Sequence, residues 1–569
     1  MFPVFGMRSL YRSARFLQLC PSRTQPYPSI TLKTFNNLQS TAWPSSRITT
    51  LVNKVGNLNI TNPTMSYSNK PSRRLRYVKH LNKQLASLES VKEHFELFES
   101  IEKSASIGDK VAILHNIAKI TERDKSQKQV LEEEREKSQQ GQSSTYLELL
   151  EGVLKGISKC NPWNLANLIW SLGKMQEKDH RLVEVCEKEI LSRGIAVFNN
   201  AEICQIVNGC ANLSLTTSDI FPSLEDAILN DEVKIDEFQD RELSGIILSF
   251  AKTDNSFVEL FHVFLEEILS RDFLVIGSRA LAEFAWSFAK NEFKANKLFE
   301  KVEEEIMSRG AADLNNAALS KILWAFGKGE RGSKQFFYFL DAEFVSRGVE
   351  QFDNALLLEI VWSFTKRNVA KARAFDLVED EVFNRGLHAF KNHELVLILF
   401  SYVSAQRHDG QLLTAIEGEL CLRDVKQFSK GDLCQVAWSL GRAGKSDSKL
   451  FDVIEAEVLR RSAHDLPTQE DHMLMLMRGF IEGSRGTRAL FEFLARFFST
   501  TDFRNLRESG ICECAWCFSK VGVEVGDVFD SLEKEIFHQN KYFFSDSQVA
   551  LIKQSFQKVG RGSKELFHL

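Results

Sequence analysis

The residues of this 569-residue chain that could do chemistry recur at one spacing instead of gathering at one point. Lys119, Lys174, Lys252, Lys290, Lys328, Lys366, Arg442, Lys520 and Lys558 each stand four residues after a landmark position. That landmark is Trp170, Trp286, Trp324, Trp362, Trp438 and Trp516 in six units, and His115, Asn208, Leu248, Phe400, Arg478 and Gln554 in the others. Only Asn212, Ser404 and Glu482 depart from a cation at the fourth place. A row of cations suits the phosphates of a nucleic acid strand. The six Trp suggest either stacking platforms or packing between hairpins, and because Asn208, Arg478 and Gln554 at the same place would be costly in a sealed core, the position is set at the margin of a groove, partly packed. Three before the landmark the type varies: Ala112, Asn167, Gln205, Gly245, Glu283, Lys321, Glu359, Leu397, Gln435, Met475, Glu513 and Leu551. Variable amides and charges at one site per unit are what base selection would use, so Asn167, Gln205, Glu283, Lys321, Glu359, Gln435 and Glu513 are candidate selectors. Each position also has a plainer use. A Lys near a helix C-terminus complements the macrodipole, a surface position drifts, and a Trp packs between helices.

Other chemistry is poorly supported. Cys512, Cys514 and Cys517 fall on packing positions of a helix with no second His or Cys pair at zinc spacing, so no metal site is expected. Gly327, Gly329 and Gly332 spell a dinucleotide fingerprint, but they follow a helix, not a strand. Gly441 and Gly444-Lys445-Ser446 lack the first glycine of a P-loop, because Ser439 holds its place. Cys186, Cys204, Cys210, Cys421 and Cys434 are scattered through helices as small apolar residues and imply no disulfide framework. The twelve histidines show no fixed pairing with Ser, Cys or Asp. A non-catalytic protein without a cofactor is the expectation.

The elements that position the landmark follow from its period. From Trp170 to Gln554 the intervals are 38 residues, with two of 40. Apolar residues stand five, two and one before Trp324 and two after it (Leu319, Ile322, Leu323, Phe326), which is one face of a helix. At about 100° per residue, the residues three before and four after the Trp lie on its side of the helix, away from the apolar stripe. Asn200, Asp240, Ser278, Asn316, Asn354, Asn392 and Asp546, eight before the landmark, read as N-caps. A second apolar run, such as Phe336, Phe337, Leu340 and Phe344, ends on Glu-x-x-x-Arg, as in Glu343 and Arg347, an i, i+4 pair suited to an exposed face. Gly194, Gly310, Gly348 and Gly386 then stop the helix. Phe198, Phe238, Phe352, Phe390, Phe428 and Phe544, ten before the landmark, are placed to wedge between hairpins. The predicted fold is all-α: a right-handed, superhelical α-solenoid of about 11–12 helical-hairpin repeats, each burying its apolar face against its neighbours.

The first-helix strings LANLIWSLGK, LAEFAWSFAK, LSKILWAFGK, LLEIVWSFTK, LCQVAWSLGR and ICECAWCFSK, at a 38-residue period, resemble the octotricopeptide repeat of organellar RNA-binding proteins. The resemblance covers about 400 residues. It implies binding of single-stranded RNA in an organelle, with roles in RNA processing, stability or translation. No C-terminal domain of the RAP type, which often follows such arrays, is recognisable.

Residues 1–88 carry thirteen Lys or Arg and no acid before Glu89, an Arg-bearing, Ser-rich composition that predicts an organelle transit peptide, mitochondrial first and plastid second. Residues 89–160 read as a degenerate first repeat in which about 124–144 forms a charged, solvated loop, and 161–569 as the array. No stretch reaches the roughly 18–20 apolar residues of a membrane span. From residue 89 onward 59 basic residues face 76 acidic ones, a net charge of −17. That balance argues against a general nucleic-acid sponge. It is the main argument for the rival reading, a solenoid that binds proteins as a scaffold or ribonucleoprotein assembly factor.

Overall fold

A computed structural model describes residues 81 and 83–569, apart from 141, 143, 178–180, 216–217, 254–256, 409, 462–469, 524–525 and 540–543. The chain divides after Leu88. Residues 1–80, to which the targeting expectation mostly applies, lie outside the described residues. The second unit, residues 89–569, is all-helical, with no strand among the described residues.

It is a solenoid of helical hairpins stacked in chain order. The first helices run from Pro162–Met175 through Asn200–Asn212, Asp240–Ala251, Ser278–Lys290, Asn316–Lys328, Asn354–Lys366, Asn392–Ser404, Lys430–Arg442, Glu470–Glu482 and Glu508–Lys520 to Asp546–Val559. Second helices such as Asn296–Arg309, Lys334–Arg347, Ala374–Arg385 and Leu450–Arg460 alternate with them, and the last, Lys564–Phe567, is a single turn. Successive first helices pack along their length, whereas successive second helices touch lightly. The array therefore curves with the first helices on the inside.

Close packing of the first helices has a specific cause. A Cβ on Gly209 would sit 2.5 Å from Ile169 O, and one on Gly441 would sit 2.1 Å from Gly479 O, so only glycine lets these backbones meet. Elsewhere the residue after the landmark is a small one, commonly Ser, whose hydroxyl donates back to its own helix: Ser249 to Gly245 O and Ser287 to Glu283 O, both at 2.7 Å.

Three expectations are corrected. The Asn or Asp eight before the landmark is the first helical residue, and the preceding residue caps: Asn315 Oδ1 accepts from Ala318 N at 2.8 Å, and Asp353 Oδ1 from Leu356 N at 3.0 Å. The Glu-x-x-x-Arg pairs are not exposed decorations. Arg271 and Glu267 are largely buried, and Arg271 also reaches Asp240 at 2.7 Å, tying the end of the second helix to the start of its own unit's first. Residues 124–144 are not a loop, because Lys125–Gln139 is a helix. Leu131 is buried on it, and Arg135 pairs with Glu177 at 2.8 Å and donates to Met175 O at 2.6 Å, which docks it on the next unit despite its polar composition. The Phe residues ten before the landmark are buried, and Phe352 meets Phe344 of the preceding unit at 4.8 Å between ring centroids.

Acidic residues have an internal task that the spacing alone did not disclose. Asp341 accepts from the backbone N–H groups of Arg373 and Ala374, both at 2.9 Å, and so caps the second helix of the next unit. Glu303 does the same for Ser333 at 3.1 Å, Glu455 for Thr487 at 3.0 Å and Glu533 for Ser563 at 2.8 Å. These four acids are thus engaged along the second helices.

Candidate nucleic-acid interface

The inner face is built from the three first-helix positions that point away from the apolar stripe. At the landmark the rings touch their neighbours across units. Trp286 and Trp324 lie 5.5 Å apart, Trp324 and Trp362 stack at 6.1 Å with planes 21° apart, Phe400 meets Trp438 at 5.1 Å, and His115 meets Trp170 at 4.9 Å. All six Trp are half-buried. The rings form a row that is both packing and surface, so neither reading of the Trp excludes the other. His115 is held down to about 4 by burial and then by Lys119, so it is a neutral member of the row near pH 7.

The cations four places on lie along this row. Lys174 sits 5.4 Å from the centroid of Trp170, and Lys366 and Lys520 sit 5.6 Å from those of Trp362 and Trp516. Some have acidic partners: Lys174 pairs with Glu122, Lys328 with Glu292 at 2.7 Å, and Arg442 with Glu482 at 3.7 Å. Lys119, Lys366, Lys520 and Lys558 are exposed and Lys290 is half-buried. Lys252 reaches water yet is hemmed in by protein, as a side chain inside a concave surface is. Burial, then the repulsion of Lys321 and Lys174, pushes its ammonium pKa below the usual lysine value. Three cations therefore converge on one stretch of the face.

Three before the landmark, the candidate selectors divide by what already holds them. Glu283, buried, accepts from Ser244 Oγ of the preceding unit at 2.7 Å and from Arg279 Nε at 2.9 Å, with Lys321 Nζ at 3.7 Å. Glu359 accepts from Ser320 Oγ of the preceding unit, and its carboxyl is pushed up by burial against the opposing pull of that bond and of Lys321. Glu513 receives Arg478 at 2.9 Å, and Arg478 also lies over the Trp516 ring at 5.6 Å. These glutamates clasp neighbouring first helices. Gln435 is half-buried on the same face. Asn167 and Gln205 differ, because Asn167 Oδ1 and Gln205 Oε1 are buried without a donor.

Sequence reasoning missed the Ser four before the landmark that binds the next unit's Glu. Its signal is a Ser and a Glu 39 residues apart, Ser244 with Glu283 and Ser320 with Glu359. Cys512, Cys514 and Cys517 are buried within Glu508–Lys520, where burial raises the Cys512 thiol to about 11, and Gly332, at φ +82°, serves the hairpin turn. Among the described residues no group of three or more His, Cys, Asp or Glu is placed to hold a metal, and no helix is long and apolar enough to cross a membrane. Compared with protein-family models and with curated proteins, the chain matches none.

Proposed function

We propose that the inner face of the solenoid binds single-stranded RNA, and that the protein is a non-catalytic, organelle-targeted factor in RNA processing, stability or translation. One observation carries the reading: charge is sorted within the array. Across the three inner positions eleven Lys or Arg meet four Glu. Those four, Glu283, Glu359, Glu482 and Glu513, are all engaged by Ser or Arg partners. The face thus presents cations beside half-exposed rings, the pairing that suits a phosphate strand with stackable bases. The three inner positions thus carry a positive balance although residues 89–569 as a whole carry a net −17.

Crosslinking the tagged protein to RNA in cells and sequencing what is bound tests this. One or a few organellar transcripts should dominate, and recovery of protein partners without RNA would transfer the face to the scaffold reading. Mitochondrial targeting, with plastid as alternative, rests on the acid-free, Arg-bearing residues 1–88. A reporter fused behind them should enter the organelle, and a cytosolic reporter would remove that part.

A further inference from the structure

On the outer side of the array two neighbouring second helices, Gln411–Leu422 and Leu450–Arg460, break the pattern of the others. Five residues before the Arg that closes a second helix, Lys188, Glu266, Glu304 and Asp380 are exposed charges, but Gly418 and Ala456 hold that exposed place here. Directly before the same Arg stand Ser192, Ser270, Ser308, Ser346 and Asn384, and then Leu422, which is 84% exposed. Val453 and Cys421 are exposed beside it, and a Cβ on Gly418 would meet nothing within 4 Å. A polar surface is thus exchanged for an open apolar one, of the kind that marks a contact site.

The patch holds both a projection and a hollow. Cys421 and Arg423, the chain neighbours of Leu422, line a pocket of about 150 Å³ with Leu420, Phe428, Val436 and Ile454, enough room for the side chain of one leucine. Lys449 also lines it, and among the described residues it has no acidic partner. Asp424, two residues after Leu422, is exposed, and its Oδ1 accepts only from Lys426 N at 3.1 Å.

We propose that this patch pairs two copies of the chain about a two-fold axis, each Leu422 filling the other copy's pocket. A two-fold contact needs one surface that complements itself, and a projection directly beside a hollow of its own size meets that condition. The same operation carries Asp424 with Leu422 toward the pocket rim, where the partner's Lys449 supplies the opposite charge. The outer sides are convex, so little beyond the two helices can touch. Helices about 18 Å long and about 9 Å apart give roughly 300–400 Å² per copy, which is the size of a weak, reversible contact. The inner face takes no part, so the RNA reading stands or falls separately.

Sedimentation velocity of the full chain from about 1 to 100 μM reads the association. A species of twice the 64.9 kDa chain mass should grow with concentration. Leu422→Asp should weaken pairing at least about tenfold and leave thermal unfolding unchanged, because the side chain stands in water. Gly418→Lys, which restores the type that Lys188 represents, should do the same without a change beside Arg423. A short bismaleimide should join Cys421 to Cys421 between copies, located by peptide mass spectrometry, and should fail in Leu422→Asp. A chain that stays monomeric throughout, a pair that survives either variant, or a cross-link formed only elsewhere overturns the proposal. So does a monomeric chain that binds a different protein at Leu422.

Discussion

Arg347 and Asn316 hold one hairpin closed and tie it to the next. Arg347 Nη1 donates to Asn316 Oδ1 at 3.0 Å while Asn316 Nδ2 donates to Gln351 O of the following unit at 3.1 Å. The guanidinium also reaches Glu343 at 2.7 Å and Ala311 O at 2.8 Å, so one side chain serves three acceptors in a fixed fork. Arg347→Ala should cost about 2–4 kcal/mol in urea unfolding, because partly buried acceptors lose a charged donor. Arg347→Lys keeps the charge without the fork and should recover less than half. A Lys variant as stable as wild type would show that charge alone matters there.

The first helices end on a left-handed residue that is often not glycine: Gln176, Glu292, Glu330, Asn368 and Gln406 have φ between 52° and 59°. The turn closes as a Schellman motif, with Arg331 N donating to Phe326 O at 2.9 Å. A Cβ in this conformation costs about 1–2 kcal/mol, and the greater freedom of glycine when unfolded returns part of it. Glu330→Gly should therefore raise stability by about 0.5–1 kcal/mol. A fall in thermal midpoint would show that Glu330 has a role beyond its backbone.

How much of this was legible depends on how far apart the partners lie. The helices, the period and the buried Phe352 follow from local patterning, since apolar spacing and helix phase are carried within one unit. The cap was misplaced by one residue because Asn316 is of a capping type, yet its side chain is claimed by Arg347, 31 residues away. Glu343 and Arg347 satisfy the rule for a surface pair, and nothing local says that the same arginine also reaches back to Ala311. The cations of the inner face were visible as a spacing. That Glu283 and Glu359 are occupied while Asn167 and Gln205 are not depends on which side chains the neighbouring helix presents.

Gly479 and Gly418 make a paired test of the close packing. A Cβ on Gly479 would lie 2.3 Å from the Ala437 carbonyl carbon, whereas one on Gly418 meets nothing within 4 Å. Gly479→Ala must push two first helices apart and should cost about 3 kcal/mol. Gly418→Ala, on the exposed side of a second helix, should gain about 0.5–1 kcal/mol from helix propensity. Equal effects in thermal unfolding would contradict the packing described here.

Glu457 gives the array a dependence on acid. Hydrogen bonds from Arg460 and Arg461, set against burial, hold its carboxyl down at about 2. A carboxylate with a depressed folded pKa adds stability that is fully present above the unfolded value of about 4.3 and is lost as pH falls through the folded one. The stability difference between wild type and Glu457→Gln should be constant above about pH 5 and should shrink steadily toward pH 2. A difference that does not change over that window would mean the pair contributes by shape and not by charge.

The inner-face cations can be tested by their electrostatics alone. Each cation that meets a phosphate of a single strand displaces condensed counterions, worth about 0.7 in the log–log salt slope. Lys328 and Lys174 already hold Glu292 and Glu122, so binding must first break those pairs and their contribution is muted. Lys366 and Lys520 lie over their own Trp rings, and Lys290 sits between them in type, half-buried at the same position. Replacing Lys290, Lys366 and Lys520 with Gln should flatten the slope by about 2 and leave thermal unfolding nearly unchanged, while Lys328→Gln alone should move it by well under 0.7. Salt dependence untouched by the triple change, in a protein that still folds and binds RNA, would place the strand somewhere other than along these rings.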